Sequence, residues 1–261
     1  AKIESFGRKA AIGRANYATS NGKVCLMSAG KLPWSELGVN ISSAADAEQA
    51  LQFAALNWAV EKKPMGYVDC FGNYRETEST FAVVRHDNGA HLGTVGRRYT
   101  PLQNADAAQF IDDVLQSAGA KYETAGALGE GERIWFLANV PAGTFTVQGD
   151  ENLQYLLISN CHDGSGCIQI LPTSVRVECQ NTHRQALAGT RKDKYFSIRH
   201  TKNASAKIDV CRKALGIVNQ SAQAYKSQVE VLASRQVQPV QLANYFDDCL
   251  DLACEVTAAE A

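Results

Sequence analysis

The chain lacks the short motifs that announce most cofactor-driven chemistry. It has no Walker A loop, no GxSxG elbow, no HExxH pair and no EF-hand loop. Gly126, Gly129 and Gly131 come nearest to a dinucleotide fingerprint, but their spacing is wrong and no helix is expected after them. A nucleotide-driven motor is therefore not expected, and no cofactor is. Long apolar runs are missing too. No stretch approaches the ~18 residues of a membrane span, so no membrane association is expected. No charged-then-apolar start reads as a signal peptide. Nor is there an excess of charge: 26 Lys and Arg face 27 Asp and Glu, for a net charge of −1. That excludes a uniformly basic nucleic-acid protein, though not a local basic patch.

Cysteine is present but unorganised. The eight are Cys25, Cys70, Cys161, Cys167, Cys179, Cys211, Cys249 and Cys254, with no CxxC pair among them. Cys161 and Cys167 stand six apart around His162 and Asp163, a poor zinc spacing, so no metal is expected. The spacings show no disulfide framework, and several cysteines sit where a small apolar residue would. This reads as a reduced, cytoplasmic protein.

What is there is an ordinary globular composition, 45% apolar and 20% charged over 261 residues. Such a chain makes one large or two small domains and can bury a core without staples. The charge is segregated. Residues 1–31 hold six cations against Glu4. Residues 184–213 hold nine cations against Asp193 and Asp209, a net of +7. The tail from Asn244 holds five carboxylates and no base. A clustered basic stretch is the footprint of a polyanion site, with a solvated surface as the plainer alternative.

Pattern and turn signals predict a loose arm over 1–40, an α+β core over 41–203 and C-terminal helices over 204–261, packed on the core or extending it. Ser42 and Ser43 offer a cap for a helix over 44–56. Strands are predicted over 58–68, 74–85 and 92–99, the last two joined by the Asp87-Asn88-Gly89 turn. A helix follows from Asn104, with Ala107, Phe110, Ile111, Val114 and Leu115 on one face. Ile134–Val140 reads as a buried strand. Strands over 153–160 and 167–180 form a hairpin turning at Asp163-Gly164, the second alternating Val175, Val177 and Cys179 with Arg176, Glu178 and Gln180. From Ile208 to Leu232 an unbroken 3-4 apolar spacing predicts a long helix, packed on its own sheet or against a partner. A last helix runs from Pro239 through Leu242, Phe246, Cys249 and Ala253. The fold class is α+β: a mostly antiparallel curved sheet with a β-β-β-α unit and a helical C-terminal extension.

Three clusters carry candidate chemistry. Arg97, Arg98 and Tyr99 pair cations with a ring, as a phosphate-and-base site needs. The predicted hairpin gathers His162, Asp163, Arg176 and Cys179, where a histidine beside a carboxylate suits acid–base work and an arginine suits an anion. Lys192, Lys194, Tyr195, Arg199, His200 and Lys202 interleave cations and rings, the composition of a single-stranded nucleic-acid groove.

Several ordered motifs resemble a known family. Pro33-Trp34 through Leu37-Gly38 form its opening. Val84-Arg85, Leu92-Gly93-Thr94-Val95-Gly96, Tyr99-Thr100-Pro101 and Gln103-Asn104 match its central block. Ser159-Asn160, His162-Asp163-Gly164-Ser165, Val175-Arg176-Val177 and Cys179-Gln180-Asn181-Thr182 match its second, and Ser197-Ile198-Arg199-His200-Thr201 its third. The chain thus resembles the phage- and plasmid-like proteins gathered as domain of unknown function nine-three-two. It departs from them in carrying Ser35-Glu36 where His-Gly is usual, and His183 where an apolar residue is usual. The β-β-β-α unit is also similar in topology to the Rad-fifty-two-type annealing proteins, which lay single-stranded DNA along a basic groove; that analogy is one of fold.

Two readings follow. In the first, the protein is an oligomeric single-stranded DNA-binding or annealing protein of a mobile element. Arg97, Arg98, Lys192, Lys194, Arg199 and Lys202 hold phosphates, Tyr99 and Tyr195 stack bases, and His200 belongs to the same surface. In the second, it is a nucleic-acid- or nucleotide-processing enzyme using His162, Asp163, Arg176 and Cys179. An anti-defence protein that binds a host factor through the heptad face is a third possibility.

Overall fold

Runs of alternating or continuous apolar residues turn the middle of this chain into sheet. The computed structural model describes residues 17–30, 36–42, 46–109, 112, 119–188, 195–201 and 208–259, with the side chains of 208–215, 217–219 and 250–259 left aside. The elements run β1 (Thr19–Ser20), β2 (Lys23–Val24), β3 (Leu26–Ala29), β4 (Val39–Ile41), α1 (Ala47–Phe53), β5 (Val60–Val68), β6 (Tyr74–Arg85), β7 (His91–Gly96). Then come β8 (Lys121–Leu128), β9 (Arg133–Asn139), β10 (Phe145–Val147), β11 (Asp150–Asn152), β12 (Tyr155–Cys161), β13 (Ile168–Thr173), α2 (Gln180–Ala188), β14 (Phe196–Ile198), α3 (Ile208–Ala233) and α4 (Pro239–Ala259). The fold is α+β.

Seven strands form the main sheet in the order β14-β13-β12-β9-β8-β3-β4, antiparallel except for the β3–β4 pair. Both faces are covered. On one lie α1, Leu56, Trp58 and the base of the three-stranded sheet β5-β6-β7, through Val83, Leu92 and Val95. On the other lie Val177 and α2, through Ala186. The β-β-β-α unit is present: β5, β6 and β7 are followed by helix over 104–109 and at 112. Phe110, Ile111, Val114 and Leu115 of its expected stripe lie outside the described residues.

Four expectations are corrected. The arm predicted over 1–40 is, from Tyr17 onward, largely part of the body. Leu26 and Met27 are fully buried and β3 pairs with β8 inside the main sheet. The cap of α1 is Asp46, whose carboxylate accepts from the Gln49 amide at 2.8 Å. Buried Asp112 accepts from the Ala47 amide at 2.8 Å, placing a second carboxylate at that helix start, where peptide dipoles favour it. β8 was not predicted, because Ala125, Gly126 and Ala127 are poor strand formers; pairing with β9 and β3 imposes the strand, and the Trp135 ring lies where a Gly126 side chain would stand.

The fourth correction concerns the second strand of the 167–180 hairpin. It ends at Thr173, and residues 175–179 cross the sheet face before α2 begins. The Thr182 hydroxyl accepts from the Glu178 and Cys179 amides at 2.9 and 3.0 Å, which favours a helix start over a strand end. His183 is buried on this helix and shares a hydrogen bond with the Ser159 hydroxyl at 2.9 Å. That partner explains how this chain accommodates a histidine where an apolar residue is usual.

Candidate functional site

The end of β12 is the best-furnished polar site. β12 finishes at Cys161, and the turn that follows packs onto β7. A side chain at Gly93 would collide with the Asp163 backbone, and one at Gly164 with Val95. His162 is 0% exposed. Asn104 donates both amide hydrogens, to the Leu56 and Trp58 carbonyls at 3.0 and 3.2 Å, so its oxygen accepts from His162 Nε2 at 2.9 Å. The ring is thereby fixed as the Nε2–H tautomer, and its Nδ1 is buried without a partner among the described residues. Trp58 meets His162 edge-on, with ring centroids 5.7 Å apart. The guanidinium of buried Arg85 lies 4.1 Å over the Trp58 ring. Asp87 accepts from that guanidinium at 2.6 and 2.9 Å and the Glu130 carbonyl at 2.7 Å.

A second segment closes the site. Tyr99 stacks on His200 at 4.8 Å, its hydroxyl donates to the Cys161 carbonyl at 3.1 Å, and the Thr100 amide donates to the His200 carbonyl at 3.1 Å. Neither ring nitrogen of His200 completes a hydrogen bond among the described residues. Burial lowers the pKa of His162 to about 3, with the neighbouring His200 adding to the shift. Burial likewise takes His200 to about 4, against the opposing influence of the Thr100 backbone.

The four residues expected to form a catalytic cluster are not brought together. Arg176 pairs with Glu123 at 2.6 Å and with Glu178, and donates to Ser28 and to the Ala29 carbonyl. Ser28 pairs with Thr124 on β8, which lies level through Leu137 with Leu157 of β12, whereas His162 follows the end of that strand. Five residues of strand separate the two places by about 17 Å at ~3.3 Å per residue. Cys179 is buried beside Thr182 at the start of α2. Cys161, which was not in that cluster, is the thiol next to Asp163: it donates to the carboxylate at 2.6 Å, and burial followed by that bond pushes its pKa up. Asp163 also accepts from the Ser165 amide at 2.7 Å and lies 3.9 Å from Arg133. No set of three or more His, Cys, Asp or Glu among the described residues is placed to hold a metal ion.

The surface residues divide differently from expectation. Arg97, Arg98 and Arg199 are exposed. Because Thr100 and Tyr99 clasp His200, the three cations stand on two adjoining segments. The Lys62 ammonium fixes the first segment by donating to the Arg97 and Tyr99 carbonyls at 2.8 and 3.0 Å. Tyr99, His200 and Tyr195 are less open than expected: Tyr99 is half-buried and stacked on buried His200, and half-buried Tyr195 packs against the core. Lys192, Lys194 and Lys202 lie outside the described residues. Exposed aromatic rings stand elsewhere, Tyr245 and Phe246 on α4 and three more on the three-stranded sheet. β7 pairs only with Thr80–Val84 of β6, so beyond it β5 and β6 continue as a two-stranded ribbon. Tyr67, Phe71 and Tyr74 stand exposed there, Phe71 at 85%. Both strands were legible from alternation, but nothing in the sequence shows that β7 stops short.

The sequence profile described as a domain of unknown function, DUF932, matches residues 91–261. The chain belongs to this family. Neither a curated protein nor a solved structure matches it. In this DUF932 protein the segments that carry the family resemblance meet in space. Gly93 of the central block supports Asp163 of the second, Asn104 holds His162, and Tyr99 holds His200 of the third. The opening block at Pro33-Trp34 lies outside the described residues. Among the described residues no helix is long and apolar enough to cross a membrane.

Proposed function

We propose that this DUF932 protein binds single-stranded DNA, as an annealing or recombination protein of a mobile element. The supporting observation is the clasp between Tyr99-Thr100 and His200, which joins the two segments that carry exposed Arg97, Arg98 and Arg199. Cations hold phosphates, and aromatic faces stack bases without sequence preference. The stacking role passes to Tyr67, Phe71 and Tyr74 on the ribbon, which grows from the same three-stranded sheet as Arg97. The processing-enzyme alternative has less support: its acid–base group, His162, is enclosed, held neutral and far from Arg176.

The test is a titration of labelled single-stranded and duplex DNA at two salt concentrations. Binding should favour single strands and weaken steeply with salt. Reversing Arg97, Arg98 and Arg199 to Glu removes three phosphate contacts and should lower the salt slope by about 2, at ~0.7 per contact. Salt-insensitive binding, or full affinity in the triple variant, rejects the reading.

A further inference from the structure

Two cysteines flank the turn that carries His162 and Asp163. β12 and β13 pair in one-to-one register, with Tyr155 opposite Thr173, Leu157 opposite Leu171 and Ser159 opposite Gln169. Two further residues along each strand put Cys161 opposite Cys167. Alternation places both on the α2 face of the sheet, the face of Leu157, Leu171 and Ser159, whose hydroxyl bonds His183 of α2. Residues directly opposite on antiparallel strands have Cα atoms ~4.5–5.5 Å apart. A disulfide takes Cα atoms ~4.4–6.8 Å apart.

The surroundings leave the pair free to join. The Cys161 amide donates to Asn160 Oδ1 at 2.9 Å, and the ladder to β13 has ended at Ser159. A Cβ on Gly166 would stand 3.3 Å from Cys161 Cβ and 3.4 Å from its sulfur. The sulfur thus lies against the residue before Cys167, where glycine interposes no side chain. Both thiols are free, but they differ in access: Cys161 is 2% exposed, whereas Cys167 is half-buried. An external reagent therefore reaches Cys167 first. The Cys161 thiol donates to Asp163 at 2.6 Å, so its proton has an acceptor in place.

We propose that Cys161 and Cys167 form a reversible disulfide across the mouth of the 162–166 turn, with a small-molecule disulfide, oxidised glutathione, as the oxidant. The Cys167 thiolate attacks one sulfur of the oxidant, forms a mixed disulfide and expels one glutathione thiolate. Cys161 passes its proton to Asp163 and attacks the Cys167 sulfur, and the second glutathione leaves as thiolate. Two electrons move from the protein thiols to the oxidant, and the two protons end on the two glutathione thiols. The new bond removes a hydrogen-bond donor from Asp163, leaving that carboxylate to the Ser165 amide and Arg133. It also ties together the two ends of the turn that packs on β7 and carries His162, which makes the buried site responsive to the surrounding thiol balance.

Trypsin isolates the pair. Cleavage after Arg133 and Arg176 releases residues 134–176 as one peptide with these two cysteines and no third. The native full chain is equilibrated with oxidised glutathione, unfolded in iodoacetamide and digested without reductant. The peptide should be about 2 Da lighter than its reduced form, with neither an alkyl group nor glutathione, because two thiol hydrogens are lost. Dithiothreitol before alkylation should restore two alkylated thiols. In Cys161→Ser, whose hydroxyl can still donate to Asp163, the peptide should keep one glutathione on Cys167. In Cys167→Ser, buried Cys161 should emerge alkylated. A parent peptide that carries glutathione or two alkyl groups after equilibration overturns the proposal, as does linkage of either cysteine to another peptide.

Discussion

Asn104 is the residue on which the buried site turns. It joins two backbone carbonyls and the His162 ring, all out of water. Asn104→Ala should cost about 3 kcal/mol, because each buried polar group left unpaired costs ~1–3 kcal/mol. Urea unfolding measures the loss, and a change within experimental scatter would show that the amide is dispensable. Titration gives a second check. His162, His183 and His200 have pKa values lowered by burial to about 3, 4 and 4. The unfolded chain therefore takes up these protons first, near pH 6.5, while the folded chain resists them. Stability present above pH 6.5 should decline as pH falls towards 4, by up to ~1.4 kcal/mol per pH unit for each histidine. The interval from pH 6.5 to pH 5 is the informative one, since most carboxylates remain ionised there. A urea midpoint that stays flat across it contradicts the burial of these rings.

The ribbon formed by β5 and β6 beyond β7 has both faces in water. Changing Phe71 and Tyr74 to Ala should therefore leave the melting temperature nearly unchanged. If the ribbon stacks bases, the same pair should weaken single-strand binding about tenfold or more, at ~1–3 kcal/mol per stacked base. A large drop in melting temperature with no change in binding would assign these rings to packing. Elements were legible in the sequence where one local rule dominated. β6 was read at its observed bounds from two turn signals. The helix start near Asn104 was placed correctly but for the wrong reason: the Asn104 side chain bonds Leu56, Trp58 and His162 rather than capping the helix. β8 was hidden because its Ala-Gly-Ala centre answers to Trp135, a neighbour across the sheet. α2 was hidden because Val175 and Val177 alternate as a strand would, while Thr182 ends that pattern through bonds no spacing reveals. The false catalytic cluster had a different cause: Thr173 already pairs with Tyr155, so even a β13 prolonged to Gln180 would carry Arg176 away from the turn that holds His162.

At the scale of the whole molecule, the family-matching segment and the folding unit have different limits. The match begins at His91, the first residue of β7. Cutting there would strip β7 of β6 and β8 of β3, and would remove Leu56, Trp58 and Val83 from the core. A fragment over 91–261 should accordingly be insoluble or lack a cooperative unfolding transition. A soluble fragment with a sharp melt would show that the main sheet closes without its first strands. The β3–β8 pairing also has a consequence in time. Leu26 lies opposite Gly126 in the finished sheet. On the ribosome it emerges about 5–20 s before its partner, at ~5–20 residues per second over the intervening chain. During that interval β3 has only the three-residue β4 of its sheet beside it, and one of the most deeply buried leucines of the protein waits for the strand that will cover it, in a sheet that is still being synthesised.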